Sequence, residues 1–462
     1  MTLIKSISGI RGTIGGATGE GLSPLDVVKF VAAFGYWIKK QNKDDAIKMI
    51  IGRDARISGE MVSNLAAATL QGLGIDVLDL GLSTTPTVEM AVIHEGAVGG
   101  IILTASHNPK EWNALKLLNG KGEFISGDEG QEVLAIAEEE SFIFAEVDDL
   151  GSLEVDNTWI EKHIDKVIEL KNVDVAAITD KQFKVVIDCV NSTGGISLPP
   201  LLKALGVAEV VELYCEPNGL FPHNPEPLPE HLTELSAKVK ESGAHLGFSV
   251  DPDVDRLAIV SENGEMFGEE YTLVAIADYI LGDNPGSTVS NLSSSRALRD
   301  VTEKHGQKHF ASAVGEVNVV NAMKTENAVI GGEGNGGIIV PELHYGRDAL
   351  VGIALFLSHL AKSGKSCSEL RATYPEYHMS KNKISLTPNI DVDNVLELMA
   401  TKNSAENVST VDGVKIDYED GWVHLRKSNT EPIIRVYSES TSPEKAQSLA
   451  QKIIDDVDAL VQ

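Results

Sequence analysis

Residues 184–214 read KVVIDCVNSTGGISLPPLLKALGVAEVVELY. An apolar run, a Gly-bearing loop NSTGG, a helical stretch LPPLLKALG and a second apolar run AEVVELY follow one another. This order of strand, loop, helix and strand predicts a right-handed parallel α/β unit. The unit recurs on both sides. Upstream, IKMIIG (Ile47–Gly52) leads through a polar loop to a helix expected from Gly59 to Gly72 and a strand at Ile75–Leu80. Downstream, STVSNL (Ser287–Leu292) leads through a serine loop to ALRDVTEKHG and the segment KHFASAV. Repetition of one supersecondary unit sets the fold class as α/β, with three similar mixed-sheet domains.

Each unit continues into another helix and another strand, and these strands end differently: GAVGGIILTASHNP, GAHLGFSVDPDVDR and NAVIGGEGNGG. Ligands of α/β sheets gather outside the carboxyl ends of strands, where loops vary freely and helix N-termini point outward. Unusual loops at equivalent strand ends therefore predict a central cleft shared by the domains. From Arg371 the character changes. A helical stretch around Val395–Thr401 precedes VKIDYEDGWVHL, alternating runs joined by Asp420-Gly421, a hairpin signal. RKSNTEP, the strand IIRVYSES and a helix with Ser442 as N-cap and Pro443 in its first turn complete a C-terminal α+β domain. The expected domains are 1–150, 151–255, 256–370 and 371–462.

The chain has 462 residues, and 39 Lys+Arg against 68 Asp+Glu give 39 − 68 = −29. That balance excludes non-specific attraction to nucleic acid or an anionic membrane surface, which need clustered basic residues. Cys189, Cys215 and Cys367 are too scattered for a disulfide framework or a zinc pattern, which suits a reducing compartment. The N-terminus MTLIKSISGIRG lacks an apolar secretory region, and no run of eighteen apolar residues occurs. A cytoplasmic protein, monomer or homodimer, without nucleic-acid or membrane partners, is the expectation.

The loops carry the chemistry. DPDVDR places Asp251, Asp253 and Asp255 at alternate positions, which in an extended segment point the same way. Carboxylates so placed repel unless a hard divalent cation joins them. A solvated acidic turn is the bland reading, and an EF-hand is excluded by Arg256 at the sixth position and a β-like run before the loop. Magnesium fits better. TASHNP offers Ser106 beside His107, without a G-x-S-x-G elbow; it is either a turn closed by Asn108-Pro109 or a serine nucleophile assisted by a metal. Lys116 in NALKLL either snorkels to the surface or has a lowered pKa and acts as a base. RKSNTEP presents Arg426, Ser428, Asn429 and Thr430, with Arg435 beyond, the parts of a phosphate cradle or of an ordinary polar turn. GEGNGG sets Glu333 and Asn335, suited to hydroxyl groups, among glycines that allow close backbone approach. SGIRG supplies Arg11, which alone says little.

Together, SGIRG, TASHNP, DPDVDR, GEGNGG and RKSNTEP resemble, in order and spacing over the whole chain, the α-D-phosphohexomutase superfamily. The resemblance implies a four-domain enzyme that moves phosphate between the 6- and 1-positions of a hexose through a phosphoserine and a hexose 1,6-bisphosphate, which also activates it. It assigns Ser106 as the phosphoserine, holding Mg²⁺ with Asp251, Asp253 and Asp255. Lys116 becomes the general acid/base, flanked by Arg11 and His107, and Arg256 a ligand of the transferring phosphoryl group. Glu333 and Asn335 fall on the sugar loop. Arg426, Ser428, Asn429, Thr430 and Arg435 fall on the grip for the non-reacting phosphate. Closure of the fourth domain about a hinge near Arg371 is expected with them.

This chain departs from the family pattern where Asn335 and Gly337 replace the Ser and His of bacterial sugar loops. Glu316 stands where phosphomannomutase/phosphoglucomutase members carry histidine, and Ser293 lies near their lysine. Glu316 suits a 2-ammonium group, so glucosamine phosphate is the expected substrate, with mannose or glucose phosphate as the alternative. A sugar phosphatase or a non-catalytic sugar-phosphate binding protein is the more distant one.

Overall fold

The computed structural model describes residues 2–6, 9–42, 47–385, 391–427 and 433–461. They form two compact bodies, one of Met1–Thr272 with Asn335–Leu370, the other of Leu273–Gly334 with Arg371–Gln462.

The first body holds two mixed sheets. In one, strand Lys48–Arg53 is flanked by parallel strands Asp76–Leu82 and Gly99–Leu103, and Trp112–Asn119 returns antiparallel beside the latter. Strands Leu3–Ser6, Gly9–Thr13 and Leu153–Val155 extend it to seven. In the other, Lys184–Asp188 is flanked by parallel strands Glu209–Leu213 and Leu246–Val250, and Leu257–Ser261 returns antiparallel. The sequence unit and the sheet topology therefore coincide. Central strands such as Lys184–Asp188 are buried from Val185 onward, which is why they read as continuous apolar runs rather than alternating ones. Helix Ala349–Ser363, apolar nearly all round and mostly buried, starts at Asp348, whose carboxylate caps the N–H groups of Leu350 and Val351.

In the second body, Thr288–Asn291 lies between parallel strands His309–Ser312 and Ile330–Glu333, repeating the pattern again. Its five-stranded sheet is wholly antiparallel, in the order His378–Ser385, Ile433–Ser440, Gly421–Lys427, Val414–Tyr418, Asn407–Ser409. Helix Pro443–Val461 packs on it, with Ile453 and Val457 in the core beside Val423 and Val436.

The hairpin expected at Asp420-Gly421 exists with its turn one residue earlier. Tyr418 pairs with Gly421, so Glu419 and Asp420 form the turn. Gly421 is not at positive φ; a Cβ there would stand 2.2 Å from the Glu439 carbonyl oxygen on the neighbouring strand. Close strand approach, not turn conformation, demands this glycine. Arg296 holds the turn, its guanidinium donating to the carbonyls of Tyr418, Glu419 and Gly421 and to Asp417.

Candidate active site

Ser106 follows the strand Gly99–Leu103 in a loop that bends sharply. Its φ is +50°, rare for a residue with a side chain. The loop is held from below by Arg56, a fully buried guanidinium 2.9 Å from Asp54, which donates to the carbonyl oxygens of Ser106, Asn108, Pro109 and Trp112. The Ser106 N–H is bound by the Thr104 hydroxyl at 2.9 Å. The hydroxyl of Ser106 donates to Asp251 Oδ2 at 2.7 Å and lies 3.3 Å from His107 Nδ1. Thus the serine loop and the aspartate loop meet.

Asp251, Asp253 and Asp255 are completely buried, each offering an oxygen within 4.8 Å of the others. They converge for a reason other than strand alternation. The strand ends at Val250, and the chain turns back, with Val254 at φ +63° and its N–H on the Asp251 carbonyl. A β-branched residue in that region is strained, a mark of functional loops. Asp251 Oδ1 also accepts from the N–H groups of Asp255 and Arg256. Oδ1 of Asp253 and Oδ1 of Asp255 are buried without a hydrogen-bond partner. Orphaned carboxylate oxygens beside a hydroxyl, with no nitrogen or sulfur donor among them, fit a hard divalent cation such as Mg²⁺.

Cations surround these carboxylates. Lys116 Nζ, on strand Trp112–Asn119, is 2.7 Å from Asp253 and 3.4 Å from Asp255. Its pKa is not lowered: burial pushes downward, but Asp253 and then Asp255 outweigh it and hold the ammonium above its ordinary value. Neither alternative for Lys116, a snorkelling side chain or a depressed base, describes it: the side chain is only 12% exposed, and its carboxylate partners come from the aspartate loop rather than from its apolar sequence neighbours. Burial, then Asp255 and Asp253, push the pKa of Asp251 up. Asp255, against the upward push of burial, is held low by Arg347 and Lys116. Arg347, at 2.7 Å from Asp255, went unnoticed in the sequence. So did Arg56 and Glu226, the last 3.7 Å from Arg256 and 4.0 Å from His107. Arg256 keeps a buried Nε with no partner. Burial and then Arg256 depress Arg11 and bring His107 to about 2, so its imidazole is neutral. Asn335, with its Oδ1 on the Gly337 N–H, belongs to the same body.

The second body carries the other candidates. Glu333 is buried at its strand end and accepts from Asn291 at 2.9 Å and the Gly315 N–H at 3.2 Å. Glu316, half-buried, opens helix Glu316–Glu326. Arg426 and Arg435 are direct cross-strand partners, and Arg426 has a buried Nε with no partner. Like charges placed opposite one another weaken a sheet unless an anion lies between them. Ser428, Asn429 and Thr430 lie outside the described residues.

Repeated α/β domains bearing a serine beside a buried aspartate triad have the parts that phosphoryl transfer with a divalent metal requires. The chain matches the phosphoglucomutase/phosphomannomutase alpha/beta/alpha domains I, II and III over residues 3–144, 161–264 and 268–377, and the C-terminal domain over 385–456. It is 37% identical to a phosphoglucomutase/phosphomannomutase of Thermococcus kodakarensis over 94% of this chain and 95% of the relative. A probable phosphoglucosamine mutase of Methanopyrus kandleri is 31% identical over 97% and 96%. The crystal structure of a phosphoglucomutase/phosphomannomutase family protein from Burkholderia thailandensis superposes with a TM-score of 0.85 at 27% identity, covering 99% of this chain and 97% of that one. The chain belongs to the phosphoglucomutase/phosphomannomutase family, within the α-D-phosphohexomutase superfamily. It is a mutase of four α/β domains, and members of that superfamily depend on Mg²⁺.

Proposed function

We propose that this enzyme interconverts glucosamine 6-phosphate and glucosamine 1-phosphate through a phosphoserine at Ser106 and a bisphosphorylated sugar. The observation that carries the mechanism is the 2.7 Å bond from Ser106 to a buried aspartate triad with orphaned oxygens. Asp251, Asp253, Asp255 and the Ser106 oxygen would hold Mg²⁺. The ion would neutralise charge on the transferring phosphoryl group.

In the cycle, phosphoserine 106 gives its phosphoryl group to one sugar hydroxyl, whose proton passes to a site base. The bisphosphate reorients, its other phosphoryl group returns to Ser106, and the base gives the proton back to the sugar oxygen that is released. Lys116 is the residue for that proton. The aspartates that keep it charged are also the proposed metal ligands, so a cation held by them would loosen their hold on the ammonium. Arg256, with Arg11 beside it, receives phosphoryl oxygens, and His107, being neutral, contributes a hydrogen bond rather than charge. Arg426 and Arg435, with Ser428, Asn429 and Thr430, grip the non-reacting phosphate, and hexose 1,6-bisphosphate restores the phosphoserine when it is lost.

Glu316 supports the amino sugar, since a carboxylate there favours a 2-ammonium group. Glu333 and Asn335 face the remaining hydroxyls. The Thermococcus relative favours a second reading, mannose or glucose phosphate. A kinetic panel of glucosamine, N-acetylglucosamine, mannose and glucose phosphates, each primed with its bisphosphate, decides between them. Glu316→Ala is expected to lower kcat/KM for glucosamine 6-phosphate by about tenfold, or ~1.4 kcal/mol, and to spare mannose 6-phosphate. Equal losses on both sugars would refute the selection by charge.

A further inference from the structure

Behind the aspartate loop, in the same body, lies a second cluster of metal-ligating side chains that the reaction does not use. His163 from helix Trp159–Ile168 and His344 both turn Nε2 toward Asp348 Oδ2, at 3.0 and 3.3 Å. Glu89 and Thr87 from helix Thr85–His94 stand behind the rings. All four ionisable groups are at most 4% exposed.

The surroundings fix which atoms are available. His163 Nδ1 is 2.9 Å from the Thr87 hydroxyl, and His344 Nδ1 is 3.3 Å from Glu89 Oε2. Asp348 Oδ1 accepts from the N–H groups of Leu350 and Val351. When the protons of both rings sit on Nδ1, facing oxygen acceptors, the atoms left over are Nε2, Nε2 and Oδ2. These are lone pairs directed at one another. Around a zinc ion at ~2.0–2.1 Å such ligand atoms stand roughly 3.3 Å apart, and the outer oxygens orient the rings as metal-bound imidazoles require. Charge balance agrees. With neutral rings, Glu89 and Asp348 bury two negative charges, which one divalent ion cancels. Protons could instead cancel them on the imidazoles, whose centroids are 6.1 Å apart, or on Glu89 itself, and the metal analysis below separates these cases. Gly346 completes the fit, because a Cβ there would fall 1.8 Å from Glu89 Oε2.

We infer that His163 Nε2, His344 Nε2 and Asp348 Oδ2 form a second metal site, for zinc or a similar first-row divalent ion rather than Mg²⁺, with Glu89 and Thr87 as orienting partners. Its role is positional. Helix Thr85–His94 begins by binding the aspartate loop, Thr85 donating from N to the Asp253 carbonyl at 2.8 Å and from its hydroxyl to Asp253 Oδ2 at 2.6 Å. Ala349, next to Asp348, donates to the Val254 carbonyl at 3.2 Å. An ion held at the start of helix Ala349–Ser363, and linked to helix Thr85–His94 through Thr87 and Glu89, clamps the loop proposed to carry the magnesium ligands.

The test is metal analysis of the full-length enzyme, purified without chelators, with Asp251→Asn, His163→Gln and His344→Gln beside it. Wild type and Asp251→Asn are expected to retain about one equivalent of a first-row transition metal per chain. The histidine variants should bind it more weakly by at least about tenfold. Cobalt(II) added to metal-stripped wild type should give the visible bands of a nitrogen- and oxygen-ligated site, lost in His344→Gln and kept in Asp251→Asn. Wild type without bound transition metal and without such bands overturns the inference whether or not the variants fold. So does metal that leaves with Asp251→Asn but not with His344→Gln, or zinc that leaves the melting temperature of Asp251→Asn unchanged.

Discussion

At the scale of single residues, the chemistry was legible where one loop carries its own signal and hidden where partners come from elsewhere. DPDVDR and TASHNP announce themselves by composition. Arg56 and Arg347 do not, because an arginine in RDAR or YGRD looks like any surface cation until the fold buries it against carbonyls or a carboxylate. Lys116 is a similar case: its sequence neighbours are apolar, while its spatial neighbours are Asp253 and Asp255. Arg56→Met strips the donor from the Ser106 loop and leaves Asp54 buried without its partner. The expected cost is about 3–5 kcal/mol, read by urea denaturation; unchanged stability would mean the loop stands without this anchor. Asp253→Asn removes a proposed magnesium ligand and the main partner of Lys116. It is expected to raise the Mg²⁺ concentration for half-maximal turnover by about tenfold or more, and an unshifted metal dependence would remove Asp253 from the site.

At the scale of elements, the repeated strand–loop–helix–strand unit was read correctly because buried parallel strands leave unbroken apolar runs. The hairpin of the last domain was read one residue out. Asp-Gly is a turn signal only if glycine supplies a positive φ, and here Gly421 serves the approach of the Glu439 strand instead. Gly421→Ala should therefore cost about 1–3 kcal/mol through overpacking, whereas Asp420→Ala in the turn should cost far less; a reversed order in thermal melts would restore the Asp420-Gly421 turn. Lys415, on the strand Val414–Tyr418, gives a pH signature. Burial, only partly offset by Asp417 and Glu439, lowers its pKa to about 8 from an ordinary 10.5. Between those values the unfolded chain holds a proton the folded chain has released, so this group makes stability rise with pH across that window. Lys415→Met should abolish the rise, seen by denaturant titration at pH 8 and pH 10. A rise identical to wild type would assign it to other groups.

At the scale of the whole molecule, the sequence disclosed four α/β domains but not the two bodies into which they cluster, because that division depends on long-range contacts. It runs through the third repeat, whose residues 273–334 cluster with 371–462 while 335–370 cluster with the first 272. The charge of −29 also looks different once Arg11, Lys116, Arg256 and Arg347 are found around one buried aspartate triad. An acidic protein so arranged concentrates its cations where the proposed dianionic sugar phosphate would be met. Among the described residues no helix is long and apolar enough to cross a membrane. In the proposed cycle one serine both gives and receives the phosphoryl group. Labelled hexose 1,6-bisphosphate should therefore transfer phosphate to Ser106 of the wild-type enzyme, and added hexose 6-phosphate should discharge it into bisphosphate. Ser106→Ala should take up no label and lose nearly all turnover. Label on another residue, or wild-type turnover by Ser106→Ala, would exclude Ser106 as the phosphoryl carrier.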